Sequence, residues 1–301
     1  MNFDNLRNFI MEKMVNIIVV CSFLLFIILI IIVSSFCSNF KGMNLKSKES
    51  SSDAVKNKNK KFLSSILVSA NTISNKKIEF GIKRADNHEQ PDIGKENRRV
   101  LDKFNGIAMG SADKKNIYLT FDVGYDGGYT DKILDVLKEN DVKATFFITG
   151  QFLKTSENTI KRMIDEGQIV GNHTNSHPSL PSCSDEKIKE ELMNVHQKVY
   201  EKFNYEMKYM RPPKGEFSER SLNAVENLGY KTVMWSFAYD DWDNAKQGRE
   251  EYGKKKILDN LHNGEIMLLH ATSKDNANIL DEVIKKIKNE GYTFKSLDEF
   301  E

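Results

Sequence analysis

From about residue 97 onward the chain alternates between short apolar runs and longer stretches in which apolar positions recur every three or four residues. The apolar runs predict strands over 116–122, 144–149, 168–172, 207–211, 232–236 and 265–269, with a weaker one near 293–296. Helical periodicity fills the intervals 130–139, 157–166, 184–203, 218–228, 252–262 and 277–289, and Ser182 with Asp185 is spaced as a capping box for the third helix. Such repetition predicts a parallel sheet with helical crossovers, either a (β/α) barrel or an open doubly wound sheet. Five residues favour a distorted barrel. Asp122, His173, Arg211, Asp241 and His270 each fall at, or just beyond, the C-terminal end of a different predicted strand, and in a parallel barrel those ends share one face.

Ahead of this repetition the chain reads differently. Residues 17–33 are almost wholly apolar and 34–37 extend the run to a length that crosses a bilayer, so 15–37 reads as one membrane anchor behind a short segment, 1–14. A cleaved signal peptide, with Ser35 and Cys37 at its cleavage site, is the alternative, but such peptides have apolar cores of about 7–15 residues. Phe36 before Cys37 also suits a lipoprotein signal poorly. Arg7 and Lys13 precede the span while Lys41, Lys46 and Lys48 follow it, so flanking charge does not favour export of the rest. Residues 38–77 are rich in Ser, Lys and Asn, with one apolar stretch at 62–68, and read as a flexible tether. The remainder divides into an extension, 78–114, and a catalytic domain, 115–301.

Composition narrows the picture. Lys and Arg number 44 against 43 Asp and Glu, a net charge of +1, which excludes the basic excess of a nucleic-acid-binding surface. Of three cysteines, Cys21 and Cys37 fall in the apolar span, so Cys183 has no partner for a disulfide within the domain.

The strand-end residues carry the candidate chemistry. Ile117-Tyr118-Leu119-Thr120-Phe121 closes on Asp122, followed by Val123-Gly124-Tyr125-Asp126-Gly127-Gly128. A carboxylate there, with glycines allowing close approach, is placed for a general base; taken alone it is equally a strand ending in a polar turn. His173 and His177 stand four apart after a strand, a spacing that on one helical turn points both imidazoles toward one divalent ion. Surface histidines in a polar turn would read the same way. Arg211, before Pro212 and Pro213, can pair with Asp122 and hold it ionised. Asp241 adjoins Trp242, suggesting an apolar recess with a charged lip. His270 ends the apolar run Ile266-Met267-Leu268-Leu269, either as a core histidine or, across a barrel mouth from Asp122, as an acid for a leaving amine.

Taken together and in this order, these segments resemble the polysaccharide deacetylases with the NodB homology domain, carbohydrate esterase family 4, over about residues 115–297. Within that family the likeness is greatest to the delta-lactam-biosynthetic de-N-acetylases of spore formers, carried by 118–130, 211–218, Ser273-Lys274-Asp275-Asn276-Ala277 and 292–298, with Phe80-Gly81-Ile82-Lys83-Arg84 upstream. The resemblance implies Asp122 as general base, His270 as general acid, Arg211 orienting Asp122 and Asp241 supporting His270. It implies a divalent metal on His173 and His177, zinc first, with cobalt, manganese or nickel as alternatives. Trp242, Leu268, Tyr125 and Pro213 would line the substrate pocket. Most of the wider family carry a second aspartate as third metal ligand where this chain has Val123, and the delta-lactam group lacks it too. Neither Asp126, too far round the glycine turn, nor Cys183 is an evident replacement.

The expected activity is therefore de-N-acetylation of N-acetylmuramic acid in peptidoglycan, leading to muramic δ-lactam in spore cortex, by a membrane-anchored domain outside the cytoplasm. Lys214 is a candidate contact for the lactyl carboxylate. The alternatives are a deacetylase of N-acetylglucosamine in peptidoglycan or chitin, and a glycan-binding pseudoenzyme that lost its metal with the acid at 123. The implied partners are the glycan strand and the membrane, with neither nucleic acid nor a protein partner.

Overall fold

A computed structural model describes residues 73–301. The expected anchor and nearly all of the expected tether lie outside the described residues; among these, no helix is long and apolar enough to cross a membrane.

The described chain runs β1 (Ile78–Glu79), α1 (Lys95–Lys103), β2 (Asn116–Val123), α2 (Thr130–Glu139), β3 (Thr145–Ile148), α3 (Gly150–Thr155), α4 (Glu157–Asp165), β4 (Ile169–Asn172), α5 (Asp185–Phe203), β5 (Tyr209–Met210), β6 (Glu216–Phe217), α6 (Glu219–Asn227), β7 (Lys231–Thr232), α7 (Glu250–Asp259), β8 (Glu265–His270), α8 (Lys274–Asn289) and β9 (Thr293–Phe294). Seven strands form one parallel sheet in the order β7-β5-β4-β3-β2-β8, with β9 added beside the start of β2.

The sheet is curled rather than closed by a full ring of strands, which corrects the barrel expectation in part. The predicted strand 232–236 is reduced to Lys231–Thr232, the edge strand β7, because beyond it the chain leaves its partner β5 and crosses to β8 at the other edge. Five residues beyond Thr232, Phe237 bridges Met267 on the outer side of β8, and Leu268 N donates to its carbonyl. One short segment thus spans the gap between the two edges.

Period-2 alternation along β2 sorts the core into two layers. Ile117, Leu119, Phe121 and Val123 pack outward with Ile133, Leu137 and Ile284 of the covering helices. Tyr118, on the other face, joins Phe147, Ile169, Tyr209, Val233 and Ile266 inside the curl. Asp122 shares the inner parity, whereas Val123 belongs to the helix-side layer.

Four of the eight described helices, α3, α5, α6 and α8, begin on a side-chain cap, and α5 corrects the expected one. The N-cap of α5 is Ser184, whose hydroxyl accepts from Lys187 N; Ser182 instead ends a short 3-10 turn. Helix α1 escaped prediction because it is highly polar, with Val100 and Leu101 its buried residues, and α3 because it is only 6 residues long. Residues 73–77, inside the stretch read as tether, are held to the domain: Arg220 N donates to Ser74 O and Asn75 accepts from Ser218 Oγ. The extension is equally integral, since β1 pairs with β6 and Phe80, Val100, Leu101 and Phe104 form a cluster with Phe217 and Leu222.

At the closed end of the curl Glu265 is fully buried, with Oε2 accepting from His262 N and Oε1 without a partner. Burial pushes its carboxyl well above the usual glutamate value of 4.5, so the folded chain keeps a proton that the unfolded chain releases. Folded protein therefore binds more protons between the two values, and stability falls as pH rises through that window. Glu265→Gln is expected to flatten this dependence, narrowing the loss of Tm between about pH 5 and about pH 8. Parallel melting curves for wild type and variant would contradict it.

Candidate active site

The C-terminal ends of the sheet strands open on a cavity of about 590 Å³, whose lining includes Asp122, His173, His177, Lys214, Trp242 and His270. All five strand-end residues singled out by pattern meet here, Arg211 and Asp241 as buried supports beneath the lining.

Asp122 pairs in register with His270 on β8. Residues at matched register on neighbouring parallel strands point to the same face, so base and acid candidates stand side by side and not across a mouth, correcting that expectation. Arg211, just past β5, reaches over the inside of the curl to the same point. Its Nη1 donates to Asp122 Oδ1 (2.8 Å), Nη2 to Thr120 Oγ1 (2.9 Å) and Met234 O (3.1 Å), and Nε to Val233 O (3.0 Å). The guanidinium lies over the Phe147 ring at 4.3 Å, a contact available because Gly171 leaves that ring room: a Cβ there would sit 2.6 Å from it. Burial works against the Asp122 charge, but Arg211, His173 and His270 outweigh it and hold its carboxyl below the usual range.

His173 donates from Nδ1 to the carbonyl of Arg211 (2.9 Å), since a carbonyl can only accept. Its Nε2 lone pair then faces the site, 3.5 Å from Asp122 Oδ2. The His177 ring meets it edge to face at 4.8 Å. The connecting residues do not form the helical turn that four-residue spacing suggested. Thr174 and His177 both adopt left-handed backbone, at φ 69° and 59°, and Thr174 Oγ1 accepts from His177 N. Burial lowers both imidazoles, His177 to about 4 with help from neighbouring His173, so each presents a neutral nitrogen.

Among the described residues no group of three or more His, Cys, Asp or Glu is placed to hold a metal. The two imidazoles, neutral and with His173 fixed in tautomer by a carbonyl behind it, do fit as donors to one divalent ion completed by non-protein ligands. Asp126 is no third ligand: its carboxylate accepts from Gly128 N and Ser156 Oγ. Cys183 Sγ lies against Ser179 O, outside the cavity lining.

His270 donates its backbone N to Asp241 Oδ2 (2.7 Å) and Nδ1 to Asp241 Oδ1 (2.8 Å), leaving Nε2 for the cavity. Burial would lower its pKa, but Asp241, then Asp122, raise it above the ordinary histidine value. Asp241 is itself fixed by Asn276 Nδ2, whose Oδ1 takes the hydroxyl of Tyr239. Asp241→Asn removes the main support for the imidazolium, so the alkaline limb of the pH–rate profile is expected to move to lower pH, measured as kcat/KM against pH. An unmoved limb would show that His270 is not the group titrating there.

Of the expected pocket residues, Leu268, Tyr125 and Trp242 line the cavity, with Tyr125 44% and Trp242 59% exposed at its rim. Trp242 is thus neither core nor a closed wall. Pro213 does not line it: it is buried in a 3-10 turn, and left-handed Lys214 (φ 61°) and Gly215 face the cavity in its place. Tyr239, Trp235 and Thr272 were not foreseen as lining residues. Tyr239 lay beside the acid that was noticed, while Trp235 sits inside an apolar run and gave no signal.

This fold and this constellation place the chain in a known class: it belongs to the polysaccharide deacetylase family, carbohydrate esterase family 4, hydrolases acting on N-acetyl amides. Residues 109–233 match the family description "Polysaccharide deacetylase". The chain is 44% identical over 231 residues to the peptidoglycan-N-acetylmuramic acid deacetylase PdaA of Bacillus subtilis, spanning 76% of this chain and 88% of PdaA. The solved structure of PdaA superposes with a TM-score of 0.74, covering 98% of that chain. A family 4 carbohydrate esterase of Bacillus anthracis, 43% identical, superposes at 0.65 over 76% of this chain and 98% of its own. A peptidoglycan-N-acetylglucosamine deacetylase of Bacillus cereus is more distant, 31% identical over 65% of this chain and 72% of its own.

Proposed function

We propose that the protein removes the acetyl group from N-acetylmuramic acid in peptidoglycan, leaving an amine that condenses with the lactyl carboxyl group, with loss of water, as muramic δ-lactam of spore cortex. The observation that carries the chemistry is the in-register pair of Asp122, bonded to Arg211, and His270, bonded through Nδ1 to Asp241, on one cavity wall. Asp122, aligned by Arg211, takes a proton from water as its oxygen attacks the acetamide carbonyl carbon. His270, held by Asp241 through Nδ1, gives its Nε2 proton to the amide nitrogen as the C–N bond breaks, so that acetate and a free amine leave. A divalent ion on His173 and His177 would supply Lewis-acid polarisation of the acetamide carbonyl.

The choice of muramic acid is supported by PdaA, which carries that substrate in its name and is more similar to this chain than the glucosamine deacetylase. Lys214 adds a physical reason, a cation on the cavity wall for a sugar bearing a carboxylate. Tyr125 and Trp242 offer flat apolar surface at the rim for sugar rings. Peptidoglycan lies outside the cytoplasm, so we place the catalytic domain there, anchored by residues 15–37.

The test is muropeptide analysis of spore cortex from cells lacking the protein, with mass spectrometry of glycan strands treated with the purified enzyme. Loss of muramic δ-lactam and appearance of free muramic amine are expected; free glucosamine would select the N-acetylglucosamine reading. Lys214→Ala is expected to raise KM for muramoyl glycan with little change in kcat, and unchanged kinetics would remove its role.

A further inference from the structure

Helix α5 buries the apolar stripe Ile188, Leu192, Val195 and Val199, yet on the same face it carries Glu191, whose side chain is only 1% exposed. A carboxylate there costs free energy unless it is fully paired, and its pairing does not serve the helix. Glu191 Oε2 accepts from Ser176 N and Oε1 from Ser176 Oγ, both at 2.7 Å. Its backbone carbonyl accepts from Asn175 N (3.0 Å), and the next carbonyl, Leu192 O, accepts from Asn172 Nδ2 (2.9 Å). Lys187 Nζ, 3.1 Å from Oε1, offsets the charge. Four hydrogen bonds accepted by two adjacent residues of α5 thus grip the chain over 172–176, three of them between the two histidines.

The grip falls where the backbone needs it. Left-handed backbone at a β-branched threonine and at a histidine is strained and persists only where surrounding contacts enforce it. Thr174 and His177 lie on either side of the clamped pair Asn175-Ser176. With Val123 packed into the helix-side core, no third ligand among the described residues shares the work of ordering a metal site. We propose that Glu191, which touches neither histidine, is a positioning residue that pre-organises His173 and His177 for the metal. This rests on the reading of those histidines as a metal site.

The experiment uses the full-length protein and measures Co²⁺ affinity by competition with a chromophoric chelator, the visible spectrum of bound Co²⁺, and Tm without metal. Glu191→Leu, whose side chain suits the buried stripe, is expected to weaken Co²⁺ binding about 10–100-fold and alter the spectrum. Glu191→Gln, which can still accept from Ser176 N and donate to Ser176 Oγ, is expected to restore affinity to within a few-fold of wild type. A folded Glu191→Leu with wild-type affinity and spectrum overturns the proposal, as does a fall in Tm with both unchanged. If Glu191→Leu does not fold, Ser176→Ala takes its place, and wild-type affinity there is equally contrary. Absence of Co²⁺ binding by the wild type would instead remove the metal site, and the proposal with it.

Discussion

Exchanging Arg211 for leucine is expected to destabilise the protein by about 3–5 kcal/mol and to abolish acetate release. Arg211 is fully buried, and its guanidinium binds Asp122, Thr120 and two carbonyls between Phe147 and Trp235. Removing it strands a buried carboxylate and unpairs the acceptors around it. The sign with pH follows. Without the guanidinium, the foremost of the charges that hold the Asp122 carboxyl low is gone and burial raises it, so the loss should shrink as pH falls and Asp122 takes up a proton. Arg211→Lys should recover little, because one ammonium cannot reproduce a planar fork bonded at three nitrogens. Urea denaturation at several pH values reads the effect; a loss independent of pH would show that packing, and not the charge pair, dominates.

The second large effect is at the carboxylate itself. Asp122→Asn keeps shape and an acceptor for Arg211 but cannot take a proton, and is expected to lower kcat/KM about 10²–10⁴-fold while leaving glycan binding near wild type. Acetate release and binding to stripped glycan strands separate the two. Retained turnover would dismiss Asp122 as the base, and an inactive wild type under every metal condition would return the glycan-binding reading.

Much of this site was legible because its chemistry sits where strand patterns end. Asp122, His173, Arg211 and His270 could be placed on one face from periodicity alone, since parallel strands carry their C-terminal ends to one side. What pattern could not supply was curvature and register. That Arg211 folds over the inside of the sheet depends on how far the sheet curls, and that His270 neighbours Asp122 depends on β8 pairing with β2 across 148 residues of sequence. The loop between the histidines shows a different limit. Four-residue spacing suggested a helical turn, and contacts from α5 impose another conformation with a similar convergence. Glu191 gave no sequence signal, because a Glu in an otherwise charged helix looks solvated until the loop that covers it is known. The misplaced strand 232–236 had the composition of a strand but lies where the sheet crosses its own gap.

The stretch ahead of residue 115 has a role at that gap. Ile107 donates to Thr232 O and accepts from Met234 N, covering the free side of β7, while Met109 bridges Glu265 and Ser236 and Phe237 bond along the free side of β8. Both margins of the sheet are thereby occupied by the chain's own backbone, at the places where a strand from another molecule would otherwise add. A domain cut at residue 115, where the strand-helix repetition begins, would lose the covers at Ile107 and Met109 and leave backbone groups at both margins unpaired; the extension finishes the sheet as well as supporting the core.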